Sequence, residues 1–129
     1  MRLVDCTPEY WEFVRAIRTH PQNEYFFLNQ GKVTPQEQIK YMEENSHRFK
    51  ICLIEDTPVG YIGIKGEHEI TYCVDPTQQG KGIGTFMVSE FKKQFNKLTA
   101  VVLPTNKASR RVFEKLGFKE KILYTYIYE

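Results

Sequence analysis

Residues 79–85, Gln-Gly-Lys-Gly-Ile-Gly-Thr, set Gly80, Gly82 and Gly84 at alternate positions directly ahead of a helical apolar repeat. The first N–H groups of a helix have no partner within it and lie at the positive end of its dipole, so a helix mouth of this kind attracts anions. Glycine admits positive φ, which lets successive N–H groups converge, and it lacks the Cβ that would hold a phosphate away. Lys81 adds a full charge to these partial ones. A tight strand-to-helix connection with no ligand would explain one or two of the glycines, and three in alternation around a lysine favour an anion site over it. Spacing excludes the commonest phosphate loops. A P-loop needs a glycine five residues before Gly80 and a hydroxyl residue after Lys81, and a dinucleotide fingerprint needs glycine or alanine where the chain has Thr85. What remains, Gln79 to Gly84, fits Gln/Arg-x-x-Gly-x-Gly.

The elements that must hold this loop are clearly punctuated. EITYCVDP reads as a strand ended by Pro76, and Ile83, Met87, Phe91 and Phe95 recur every four residues, a helix that needs a sheet to lie on. Upstream, Thr7-Pro8-Glu9 opens a helix bearing Tyr10, Trp11, Phe13, Val14 and Ile17, and the capping box Thr34-Pro35-Gln36-Glu37 opens another that runs to about Asn45. RFKICLIE and VGYIGIKG alternate with period two about an Asp56-Thr57-Pro58 turn. LTAVVL reads as a buried strand, Asn106 caps a helix carrying Ala108, Val112, Phe113 and Leu116 that stops at Gly117, and KILYTYIYE alternates again. The expected order is β-α-α-β-β-β-α-β-α-β, an α/β fold with a mixed sheet flanked by helices, formed by one domain over residues 1–129. Between the first two helices a turn-rich stretch carries Tyr25, Phe26 and Phe27, unusual in a loop unless it covers something.

Composition narrows the partners. A hydrophobic content of 41% with 26% charged residues belongs to an ordinary globular protein, and a net charge of +2 is too small to argue for nucleic acid. No apolar run approaches the roughly 20 residues of a membrane span, and MRLVDCTPEY lacks a signal-peptide apolar region, so a cytoplasmic protein is expected. Cys6, Cys52 and Cys73 show no CxxC or Cys/His spacing and read as reduced core residues, with no metal site.

Arriving after a strand that ends Val-Asp-Pro, the Gln79–Gly84 hexapeptide resembles the pyrophosphate-binding signature of the GCN5-related N-acetyltransferase superfamily. The stretch from Asn106 to Phe118 is similar to that superfamily's Asn-x-x-Ala/Ser helix ending in Gly-Phe, and the order of elements matches over the whole chain. The resemblance implies a GNAT-like, mostly antiparallel sheet in which the strand Glu69 to Asp75 splays from the segment near Leu98 to Leu103, so that the pantetheine arm of acetyl-CoA enters the gap. Backbone groups of Cys73 and Val74 would bind that arm, with the Val74 N–H polarising the thioester carbonyl. Gln79, Gly80, Lys81, Gly82, Ile83, Gly84 and Thr85 would hold the pyrophosphate, and Asn106 would face the cofactor with Ser109 and Arg110 beside it. The activity implied is acetyl transfer from acetyl-CoA to a primary amine.

The proton carriers depart from the family pattern. Phe113 stands where many relatives have a tyrosine as general acid, and Val101 and Val102 stand where some have a glutamate. Counting back along the strand, His68 falls where histone-type members carry a base, on the face expected for Ile70 and Tyr72, with Glu69 as competitor and Tyr72 as a further hydroxyl. A solvated hairpin residue is the plain alternative for both His68 and Glu69. Tyr25, Phe26 and Phe27 would contact an acceptor, an amino sugar or another small-molecule or peptide amine, or else fill space over the sheet. The expected assembly is a monomer or homodimer, without nucleic acid or membrane partners. Two other readings stay open: an acyl-CoA-binding sensor or interaction module without turnover, supported by Phe113, and a structural domain with a fortuitous glycine turn.

Overall fold

Period-two alternation builds the sheet. The computed structural model describes residues 1–23, 32–122, 124 and 126–128, so Tyr25, Phe26 and Phe27 lie outside the described residues. Four strands, β1 (Arg2–Asp5), β2 (Phe49–Ile54), β3 (Thr57–Lys65) and β4 (Glu69–Val74), pair antiparallel in that order. Their two faces are both apolar. Phe49, Ile51, Leu53, Tyr61 and Cys73 pack with Val14 and Ile17 of α1 (Trp11–Arg18) and Met42 of α2 (Pro35–Asn45). On the other face Cys52, Ile62 and Ile70 pack with Ile83, Met87, Val88 and Phe91 of α3 (Ile83–Phe91) and Phe113 of α4 (Lys107–Lys115). Each fully buried aliphatic or aromatic side chain of this kind stabilises the fold by about 1.5–3 kcal/mol.

Two local devices set the frame. The capping box of α2 is reciprocal: the Glu37 N–H donates to Thr34 Oγ1 and the Thr34 N–H to Glu37 Oε1, each at 3.2 Å. A bulge between Cys52 and Leu53 leaves Val59 without a partner across the β2–β3 ladder and turns it onto the α3/α4 face. The Val59 carbonyl accepts from the Asp75 N–H at 2.8 Å, which ties the chain leaving β4 to the sheet.

Three expectations need correction. LTAVVL forms no strand; it makes a single parallel bridge, Glu69 to Thr99, and Val101 is 58% exposed. A strand exists only where an edge pairs with it, and here the chain leaves β4 after that bridge. The described residues of KILYTYIYE form no strand either, and Ile122, Tyr124, Tyr126, Ile127 and Tyr128 are exposed, because alternation specifies a face but supplies no partner. Thr7-Pro8-Glu9 leads into a 3-10 turn, Pro8–Tyr10, before α1 begins.

Candidate active site

The glycine loop is shaped by backbone conformation. The Asp75 carboxylate accepts from the N–H and the hydroxyl of Thr77, both at 2.9 Å, folding Pro76–Gln78 into a 3-10 turn. Gln79 then extends the chain, and Gly80 (φ 83°) and Gly82 (φ 76°) take left-handed conformations. Another L-residue would lose about 1–2 kcal/mol at each. A Cβ on either would meet nothing within 4 Å, so both glycines border open space. Gly84 is needed for a different reason: a Cβ there would sit 3.0 Å from Cε2 of Tyr72, whose ring lies against the helix mouth. No side chain caps α3 at Gly82, so the N–H groups of Ile83, Gly84 and Thr85 keep their capacity to bind an anion.

The edge of β4 provides the second half of the site. Its first residues are closed off, since the Thr99 N–H donates to the His68 carbonyl at 2.9 Å and the Ile70 N–H to the Thr99 carbonyl at 2.8 Å. In an antiparallel strand alternate residues send their N–H and C=O the same way, so Tyr72 and Val74 point as Ile70 does, away from β3. Residues 100–103 have separated from β4 at that level. The opening is a cavity of about 480 Å³ walled by β4, the 78–85 turn, residues 100–102 and the first turns of α4. That size suits a small ligand or the arm of a larger one.

Most of the sequence-derived candidates converge here. Tyr72, Cys73, Val74, Gln79, Gly80, Gly82, Ile83, Gly84, Thr85, Asn106 and Ser109 line the cavity, as does Glu69. Lys81 and Arg110 do not; the Lys81 ammonium donates to Gln78 Oε1 at 2.6 Å. His68 falls outside the cavity, in the turn between β3 and β4 rather than on the face of Ile70 and Tyr72, with its imidazole 3.6 Å from the Glu67 carboxylate.

Asn106 both caps and lines. Its side-chain oxygen accepts from the Ser109 N–H at 3.2 Å, starting α4 against the cavity wall. The Tyr72 and Ser109 hydroxyls are 2.8 Å apart, and burial raises the Tyr72 pKa against the opposing effect of that hydrogen bond, so the phenol keeps its proton. Phe113 is buried edge-on to Tyr72 (5.9 Å between centroids) and to Phe118 (5.0 Å). Burial pushes the Cys73 thiol up to about 12, which removes it as a nucleophile. Sequence reasoning missed Arg18, Asn23 and Lys65, which also line the cavity. Asn23 carried no signal, because an Asn two residues after Pro21 looks like a turn residue.

Comparison with known proteins agrees with this arrangement. The ribosomal-protein-alanine N-acetyltransferase of Brucella melitensis superposes with a TM-score of 0.82 at 19% identity, over 94% of this chain and 86% of that one. YncA of Salmonella typhimurium, a putative acetyltransferase solved with its cofactor acetyl-CoA, gives 0.77 at 18% identity, over 92% and 79%. The peptidyl-lysine N-acetyltransferase YjaB of Salmonella typhimurium (strain LT2) is 34% identical over 65 residues, 50% of this chain and 45% of that protein, so the match spans about half the length of this curated relative. The model of the acetyltransferase (GNAT) domain matches residues 2–119, and the chain belongs to that family.

Proposed function

We propose that the chain is an N-acetyltransferase that moves an acetyl group from acetyl-CoA to a primary amine. The observation that carries this reading is one continuous path: the edge of β4 at Tyr72 and Val74, which faces no strand among the described residues, leads directly into the left-handed glycines and the mouth of α3, where no side chain caps Gly82. An open strand edge suits an extended, amide-bearing arm, and the turn beyond it suits a pyrophosphate. Acetyl-CoA supplies the activated thioester. The amides from Gly80 to Thr85 bind its pyrophosphate, the β4 edge orients its arm, and the Val74 N–H polarises its carbonyl. Glu69, on the cavity wall, takes the acceptor's proton in preference to the outlying His68. Tyr72, whose hydroxyl meets Ser109, is the phenol available to the departing thiolate, since Phe113 has none to offer.

The acceptor is a small-molecule or peptide amine. The peptidyl-lysine and ribosomal-protein-alanine activities of the relatives favour a peptide, and the aromatic stretch at Tyr25, Phe26 and Phe27 is equally suited to an amino sugar. The test is free-thiol release from acetyl-CoA with a lysine-bearing peptide, an N-terminal-alanine peptide, a polyamine and an amino sugar. Turnover with one of them supports the reading. Binding of acetyl-CoA without turnover selects the sensor, which the missing hydroxyl at Phe113 favours. No thermal shift with CoA rejects both, since ligand at 100 times its Kd adds about 2.7 kcal/mol.

A further inference from the structure

Asn23, at 2% exposure, is the most buried polar side chain among the described residues. Its amide nitrogen shares two N–H bonds among three acceptors: the Ile17 carbonyl at 2.8 Å, Cys73 Sγ at 3.2 Å and the Val74 carbonyl at 3.3 Å. Ile17 lies in the last turn of α1, while Cys73 and Val74 end β4. The Val74 carbonyl lies on the outward side of its strand, where residues 100–103 no longer offer a partner. Asn23 supplies the donor that a neighbouring strand would have supplied. On the opposite side the Asp75 N–H is held by the Val59 carbonyl at 2.8 Å, so the Val74–Asp75 peptide is fixed from both directions. The Val74 N–H, on the same side as its own carbonyl, is left to the cavity.

We infer that Asn23 is a positioning residue for acyl transfer: by taking up the Val74 carbonyl it fixes the direction in which the Val74 N–H meets the thioester. The inference rests on the acetyl-CoA chemistry proposed above. The residues that hold the pyrophosphate lie on the 80–85 turn, which Asn23 does not touch in any of these bonds, so its removal acts on the chemical step and spares cofactor affinity.

The test uses Asn23→Asp, which keeps the shape but has no N–H, and Asn23→Ala, which removes the group without adding a charge. Calorimetric titration with CoA gives Kd and the number of competent sites, and kcat is expressed per competent site. In the same preparations the Val74 amide proton is followed by NMR with acetyl-CoA and with CoA. The expected result is a loss of at least tenfold in kcat per site, a Kd for CoA within threefold of the parent, and disappearance of the acetyl-dependent shift that Val74 shows in the parent. A kcat per site within twofold of the parent overturns the inference, and so does a parallel loss of CoA affinity, which marks a general loosening of the cleft. If the parent turns over no amine, the proposed activity fails, and the Val74 shift still decides the role of Asn23. An acetyl-dependent shift that persists in the variants, or is absent from the parent, rejects that role.

Discussion

Gly82→Val separates the two things glycine does at the mouth of α3. At φ 76° a β-branched residue is a conformational outlier, and holding it there costs about 2 kcal/mol. The ligand-free turn can relax out of this conformation, but binding pyrophosphate requires it back, so the strain reappears as lost affinity. At about 1.4 kcal/mol per factor of ten, CoA binding weakens by about 30-fold from strain alone, before the valine methyls crowd the open face. Gly66→Val is the matched control: its φ is 57°, a Cβ there also meets nothing within 4 Å, and it lies in the β3–β4 turn outside the cavity. A relaxed Gly82→Val turn leaves the ligand-free melting point near that of the parent, whereas strain held in the fold lowers it by about 4 °C for each kcal/mol in a chain of this size. Titration calorimetry with CoA should find Gly66→Val equal to the parent and Gly82→Val at least 30-fold weaker. Parent affinity in Gly82→Val refutes the reasoning, as does an equal loss in Gly66→Val.

Glu69→Gln should lower kcat/KM by about 100-fold, while His68→Ala stays within about threefold; the reverse pattern in steady-state rates would place the base in the turn. With Tyr72 as the donor, Phe113→Tyr should leave kcat within about twofold in stopped-flow thiol release, and a tenfold rise would show that the parent's thiolate lacks a donor. Burial pushes the Cys73 thiol up to about 12 and the Cys6 thiol up to about 11 from 9.0, so in alkali the unfolded chain releases protons that the folded chain retains. Stability is therefore full below about pH 9 and falls toward pH 11 by about 1.4 kcal/mol per pH unit for each thiol, with the buried Tyr61 phenol adding to the loss above about pH 10. Thermal midpoints that stay level from pH 8 to about 10.5 would contradict this.

What could be read from the residues was whatever depends on neighbours in the chain. The Thr34–Glu37 box, the four-residue repeat of Ile83, Met87 and Phe91, the Asn106 cap and the alternation of Phe49, Ile51 and Leu53 are local, and the structure carries them out. The glycine loop was legible too, although Gly84 is required by the Tyr72 ring and not by its own φ. Pairing was not legible. LTAVVL has the composition of a strand, yet whether it becomes one depends on how long β4 stays beside it, and the chain gives up that pairing after Thr99. His68 shows the same limit at the other end of β4, where one residue of turn length moves a side chain from the sheet face into the hairpin. Asn23 is the extreme case, since its role lies in two acceptors 50 and 51 residues away.

The burial of both sheet faces gives β4 a parity rule. Cys73 packs with α1 and α2, while Ile70, Tyr72 and Val74 pack with α3 and α4, so Glu69 and Thr71 share the Cys73 side by alternation. One six-residue strand is thus a partition wall with a separate set of side chains on each side. Exchanges at odd positions alter the side that Arg18 and Asn23 also line, and exchanges at even positions alter the side bounded by the glycine turn and Ser109. On the proposed chemistry, acceptor preference can be varied through Thr71 with Glu69 kept as the base, while the hold on the cofactor passes through residues 70, 72 and 74.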